Sequence, residues 1–324
     1  MTETARAFWT VDPGRGEILS ETLPVLADGC VRVRTLHSGV SRGTEALVFN
    51  GRVPASEYRR MRAPFQQGDF PAPVKYGYCA VGLVEEGPDR LLGREVFCLH
   101  PHQDRFVVPA EAVMPLPEGL PATRAVLAAN METALNGAWD ARIGPGDRLA
   151  VVGGGVVGCL VAWLAGRIPG TEVTLIDLQP DRSKVAEALG VGFAMPEAAR
   201  GDCDLVVHAS GSESGLATAL GLAGNQARVV EMSWYGDDHP AVPLGEAFHS
   251  RRLSLVASQV GQLPPDRQPR WDHRRRLETA LALLTDPALD CLVSGSSAFE
   301  SLPDDLPRLL TRSGEVLCHR IDYD

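Results

Sequence analysis

Three glycines in the order Gly153-x-Gly155-x-x-Gly158 follow four strand-like residues (149–152) and open an apolar helical stretch. This spacing suits a strand-to-helix turn at which backbone can meet a phosphate. The first glycine permits a tight turn, the second lets the backbone approach a pyrophosphate, and the third allows close helix–strand packing. Val156 and Val157 in the first helical turn add free amides and the positive end of the helix dipole. About 20 residues further on, the next strand-like run ends in Asp177. A carboxylate there accepts hydrogen bonds from both ribose hydroxyls of an adenosine and repels a 2′-phosphate, so the expected cofactor is NAD(H) rather than NADP(H). Asp177 also reads as a turn-initiating residue before Gln179-Pro180. Arg182 reads either as a ribose contact or as a solvated first-turn side chain. Ligands of such sheets sit beyond the carboxyl ends of the strands, which puts the nicotinamide near Ser210-Gly211, Trp234-Tyr235 and Ser258-Gln259. Ser210, Trp234 and Ser258 are the contacts expected there.

The elements that must position these residues read as strictly alternating strands and helices. Strands are expected at 148–153, 171–177, 203–210, 227–233 and 253–259, mostly as continuous apolar runs, the mark of a parallel sheet covered on both faces. Helical spacing occupies the segments between them, and one further helix is expected over 122–141. Up to about residue 120 the pattern is different: short β-type runs (ARAFWTV, CVRVRTLHSGV, CAVGLVEEG, EVFCLH, DRFVVP) are separated by Gly and Pro. A Pro-rich break at 262–270 precedes an amphipathic helix, and the runs CLVSGSSAFE and VLCHRIDY return to strand character, as if to pair with the first domain.

With 324 residues the chain fits two domains. Thirty-one basic against 41 acidic side chains give a net charge of −10, which repels phosphate backbones and anionic membranes, so neither nucleic acid nor a membrane is an expected partner. Seven scattered cysteines with no CxxC pair argue against a disulfide framework and a zinc ribbon and fit a reducing cytoplasm. The uncharged stretch 149–166 has nearly the length of a membrane span, but its cluster of glycines serves a strand–turn–helix unit instead.

The order of parts, with the motifs SGVSRGTE (38–45), KYGYCAVG (75–82), NMETALNG (130–137) and the segment 234–259 from WYGDD to VASQ, resembles the medium-chain dehydrogenase/reductase superfamily. The likeness extends over essentially the whole chain and is greatest to a zinc-lacking branch related to bacteriochlorophyllide dehydrogenases. It implies an α/β fold: a GroES-like β-rich catalytic domain (1–125, completed by 267–324) and a Rossmann NAD-binding domain with a doubly wound parallel sheet (126–266).

Zinc enzymes of this superfamily place their ligands at positions matched here by Ser41, Tyr78-Cys79 and Ala128. No metal is therefore expected, since catalytic zinc takes thiolate, imidazole or carboxylate ligands. His100-x-His102 is a tempting metal pair without a third ligand. With zinc gone, side chains must handle the substrate oxygen. The resemblance points to Tyr78 as the donor and to Lys75 as the group that lowers its pKa or acts itself. Arg42 matches a cofactor-phosphate contact, and Ser41, Glu45 and Glu132 complete the expected cleft wall.

The implied activity is NAD-dependent, metal-independent interconversion of a secondary alcohol and a ketone on a small-molecule substrate. The alternatives are a quinone or enoyl C=C reductase and a dinucleotide-binding protein without catalysis. A homodimer through the region 253–259 is expected.

Overall fold

A computed structural model describes residues 3–311 and 316–324. The chain forms two compact units. One holds Met1–Ala129, Leu281–Asp286 and Val293–Asp324, and the other holds Asn130–Ala280 and Pro287–Leu292. Residues 267–280, expected from sequence to complete the β-rich domain, fall in the second unit. The reason is packing: Arg276 bonds to Glu132 and Asn136, and Trp271 packs against Trp139 at 4.7 Å between ring centroids.

The second unit is built on a parallel sheet in the order Gly192–Ala194, Glu172–Ile176, Arg148–Val152, Cys203–His208, Ala223–Glu231, Ser254–Ala257. The order reverses between Arg148–Val152 and Cys203–His208, which creates the crevice where doubly wound folds bind ligands. Leu149, Ala150, Val151 and Val152 are all buried, because helices cover both faces. The helices Val156–Ala165, Arg182–Leu189 and Glu213–Leu222 follow the first, second and fourth strands in the chain.

In the first unit, a seven-stranded sheet carries the tail back to the N-terminal half. Cys318–Asp322 pairs antiparallel with Cys30–Val40 and parallel with Val293–Ala298. A second sheet of four strands includes Thr4–Asp12 and Val74–Lys75. Phe8, Val40, Phe49, Phe299, Leu306 and Ile321 form one apolar cluster, so residues more than 300 positions apart in numbering share a core.

The helix expected over 122–141 is divided into Ala122–Ala125 and Ala128–Ala141. The turn between them lets both Val126 and Leu127 be fully buried, and the guanidinium of Arg124 donates to the carbonyls of Leu284 and Thr285 at 3.1 Å each. All seven cysteines are free thiols. Among the described residues no helix is long and apolar enough to cross a membrane.

Candidate active site

The glycine turn in the second unit has the shape its spacing implies. Gly153 has φ +110°, and a Cβ there would meet Ser210 N at 2.6 Å; a Cβ on Gly158 would come within 1.9 Å of the Gly153 carbonyl oxygen. Neither position tolerates a side chain. Around a Cβ on Gly155 there is nothing within 4 Å, so the N-terminus of the helix Val156–Ala165 faces open space. Asp177 sits beside this turn. Its Oδ2 accepts from Gly154 N at 2.6 Å and its Oδ1 from Gln179 N at 2.8 Å. Each oxygen keeps a second lone pair for an outside donor. Arg182 is buried against the same turn, since a Cβ on Gly154 would lie 3.2 Å from its Cγ. A helix N-terminus open to space with a carboxylate at its side is an arrangement that suits a phosphate-bearing ligand.

Beyond the strand ends, Ser210 is exposed and Trp234 is half-buried. Ser258 lies 3.4 Å from Asn136 Nδ2 through its hydroxyl. Glu132, expected as a wall residue, is buried and accepts from Arg276 Nε at 3.0 Å. Arg276 completes its contacts with Asn136 Oδ1 at 2.5 Å and the Val260 carbonyl at 2.6 Å. Burial raises the Glu132 carboxyl above its ordinary pKa, against the pull of Arg276.

In the first unit the helix Arg42–Phe49 brings several expected residues together. The Tyr78 hydroxyl donates to Ser41 Oγ at 2.7 Å, and Ser41 N donates to Glu45 Oε1 at 2.7 Å. The other oxygen of Glu45 lies 3.0 Å from His102 Nε2, and His102 Nδ1 lies 2.7 Å from Ser38 Oγ, which meets the Tyr323 hydroxyl at 2.9 Å. Glu45 and His102 are both buried. Sequence reasoning missed Ser38 and Tyr323 in this chain and weighed His102 only as a metal ligand. Burial first, then the nearby Cys79 and Glu45, raises the Tyr78 pKa, while the bonds to Ser41 and Thr44 act in the opposite direction. The phenol therefore holds its proton.

Lys75 does not serve the phenol. It is 1% exposed and donates to Glu21 Oε2 at 2.6 Å and Gln103 Oε1 at 2.8 Å. Burial lowers its pKa and the carboxylate of Glu21 opposes that shift. The expectation that Lys75 depresses the Tyr78 pKa thus meets a phenol shifted upward by its own burial. Arg42 donates from Nη1 to the Val316 carbonyl at 2.9 Å.

No family model matches the chain. Among curated proteins it is 23% identical to D-guloside 3-dehydrogenase of Escherichia coli strain K12 over 305 residues, 85% of this chain and 87% of that protein. Among solved structures it superposes on L-idonate 5-dehydrogenase from E. coli K-12 with a TM-score of 0.80 at 14% identity, covering 99% of each chain. A provisionally assigned zinc-binding dehydrogenase from Sinorhizobium meliloti 1021, bound to NADP, gives 0.79 at 17% identity, again over 99% of each chain. The chain has the same fold as these dehydrogenases.

Zinc, which this fold carries in some of its members, does not fit the residues present. Of the positions matched to zinc ligands, Ser41 and Tyr78 offer hydroxyls bonded to each other, and Ala128 offers a methyl group. Cys79 is buried, and burial raises its thiol well above its ordinary pKa. His100 is stacked on Phe106 with ring centroids 3.9 Å apart, and its Nδ1 lies 3.0 Å from the Pro101 carbonyl. Among the described residues no group of three His, Cys, Asp or Glu is placed to hold a metal ion.

Proposed function

We propose that the chain is an NAD(H)-dependent oxidoreductase that interconverts a secondary alcohol and a ketone without a metal ion. The observation that carries this reading is the open amide cradle at Gly155 with the Asp177 carboxylate beside it. Bound nicotinamide dinucleotide supplies the hydride transfer. The chain's own groups then have separate tasks. The amides of Gly155, Val156 and Val157 hold phosphate. Asp177 and Arg182 hold the adenosine ribose, and the Asp177 carboxylate opposes a 2′-phosphate that the Arg182 guanidinium would by itself attract. Ser210, Trp234 and Ser258 line the nicotinamide end. Tyr78, kept protonated by its surroundings, turns its hydroxyl hydrogen from Ser41 Oγ to the substrate oxygen, and the bond from Ser41 N to Glu45 fixes Ser41 beside it. The names of the guloside and idonate dehydrogenases favour a small polyhydroxylated substrate.

The test is a screen of secondary alcohols and ketones with metal-stripped protein and both dinucleotides. Turnover is expected to survive a chelator, and fluorescence titration is expected to show NADH binding more tightly than NADPH. Dependence on added zinc would remove the metal-free assignment. Equal or reversed cofactor affinities would remove the role given to Asp177.

The same reading includes a homodimer joined at the sheet edge Ser254–Ala257, where Ser254 and Leu255 are exposed and one side of the strand has no neighbour among the described residues. Light scattering is expected to give twice the chain mass; a monomer at working concentration would refute it.

A further inference from the structure

Ser210 belongs to a hydrogen-bonded chain whose other members no motif marks. His208 ends the strand Cys203–His208 and is in register with Glu231, the last residue of the parallel strand Ala223–Glu231. His208 Nδ1 lies 2.7 Å from Glu231 Oε2, and His208 Nε2 lies 2.6 Å from Ser210 Oγ. The imidazole is 0% exposed, whereas Ser210 is exposed. The carboxylate is fixed in turn: Ser233 N donates to Oε1 at 2.7 Å and the Tyr235 hydroxyl donates to Oε2 at 3.2 Å. Burial works to raise the Glu231 pKa, but the bonds from His208 and Ser233 oppose it and the carboxyl lies below its ordinary value. An ionised carboxylate at Nδ1 keeps the imidazole proton there, which leaves Nε2 to accept from the serine hydroxyl.

Two further donors converge on the serine oxygen. Ser212 Oγ accepts from Gly215 N at 3.1 Å, so its own hydrogen is free to point to Ser210 Oγ at 2.9 Å, and Ser212 N approaches the same oxygen at 3.3 Å. Gly215 makes the room for this. A Cβ there would lie 2.1 Å from Ser210 Oγ and 2.8 Å from His208 Nε2. A buried base oriented by a carboxylate, with an exposed hydroxyl on its other nitrogen, is the arrangement by which serine is made nucleophilic on unrelated folds.

We propose that Ser210 is an activated nucleophile, with His208 as its base and Glu231 as the residue that orients the base, and that it takes the acyl group of carboxylic esters. Ser210 Oγ bonds to the carbonyl carbon as its proton passes to His208 Nε2. The bond from that carbon to the leaving alcohol breaks as His208 gives the alcohol this proton. Water then attacks the acyl-serine, losing a proton to His208, and releases the carboxylic acid; the proton returns to Ser210. The imidazolium formed in each half faces Glu231. No oxidant or reductant enters; the ester chemistry consumes no dinucleotide, although Ser210 stands at the nicotinamide end of the site proposed above, so the test is run without added dinucleotide.

The test treats the full-length protein, without added dinucleotide, with a fluorophosphonate probe and maps the modified residue by mass spectrometry of the digest. The adduct is expected on Ser210. Hydrolysis of p-nitrophenyl acetate is expected to fall at least about ten-fold in Ser210→Ala and in His208→Gln, and also to fall in Glu231→Gln, which keeps the shape and removes the charge. Absence of an adduct on Ser210 in the unsubstituted protein would overturn the proposal whether or not the variants fold. Hydrolysis unchanged in Ser210→Ala would overturn it as well.

Discussion

Tyr78→Phe is expected to lower turnover about ten-fold or more while NADH affinity stays where it was, because a positioned proton-bearing group contributes about 100-fold or more to such reactions. The substitution keeps the ring and removes only the hydroxyl that donates to Ser41 Oγ at 2.7 Å. Cofactor binding is assigned to the glycine turn and Asp177, which belong to the other compact unit. Steady-state kinetics on a substrate found by the screen, with NADH titration alongside, reads both quantities. Unchanged turnover would move the task to water or to another side chain. Lys75 is a poor second candidate, since its ammonium is buried in an ion pair with Glu21 and held by Gln103. Lys75→Met is accordingly expected to act on folding rather than on the chemistry.

Arg276→Met is expected to destabilise the protein by about 3–5 kcal/mol, the usual effect of removing one partner of a buried ion pair. The guanidinium is 2% exposed and contacts Glu132, Asn136 and the Val260 carbonyl. Without it the Glu132 carboxylate is left buried without its ion-pair partner, or takes up a proton, in keeping with the upward direction of its pKa. Urea denaturation gives the number. A companion Glu132→Leu change in the same chain is expected to recover much of the loss, since replacing both charges by apolar groups is often close to neutral. A single-variant effect under about 1 kcal/mol would show that the pair is not what holds the helix His273–Leu283 at this place.

The glycine turn was legible because everything it needs is local. The first and third glycines are required by clashes with the backbone of Ala209–Ser210 and with the Gly153 carbonyl, and the second opens the amides to space. Asp177 follows at the end of the next strand, at the distance one strand–helix–strand unit sets. Five of the six parallel strands were legible for a similar reason, since a sheet buried on both faces demands unbroken apolar runs, as in residues 149–152. The edge strand Gly192–Ala194, three residues long and only partly buried, carries no such run.

The contacts of the polar residues were decided by tertiary structure. Lys75, three positions from Tyr78, suggested a catalytic neighbour, but it ends the strand Val74–Lys75 and its buried ammonium goes to Glu21 and Gln103. Glu132 lies within a motif, yet its partner is 144 residues away. Ser38, His102 and Tyr323 form one chain across separations of 64 and 285 residues, and no local pattern records such a meeting. His208 and Glu231 stand between these cases. Each ends a strand that the sequence shows, but only the parallel register that pairs them sets one side chain against the other. Backbone conformation follows from neighbouring residue types and apolar periodicity, so the sequence by itself determined the turn, the strands and the place of Asp177. A hydrogen bond between side chains requires two distant segments to arrive in one register and one orientation, and packing of the whole chain sets that.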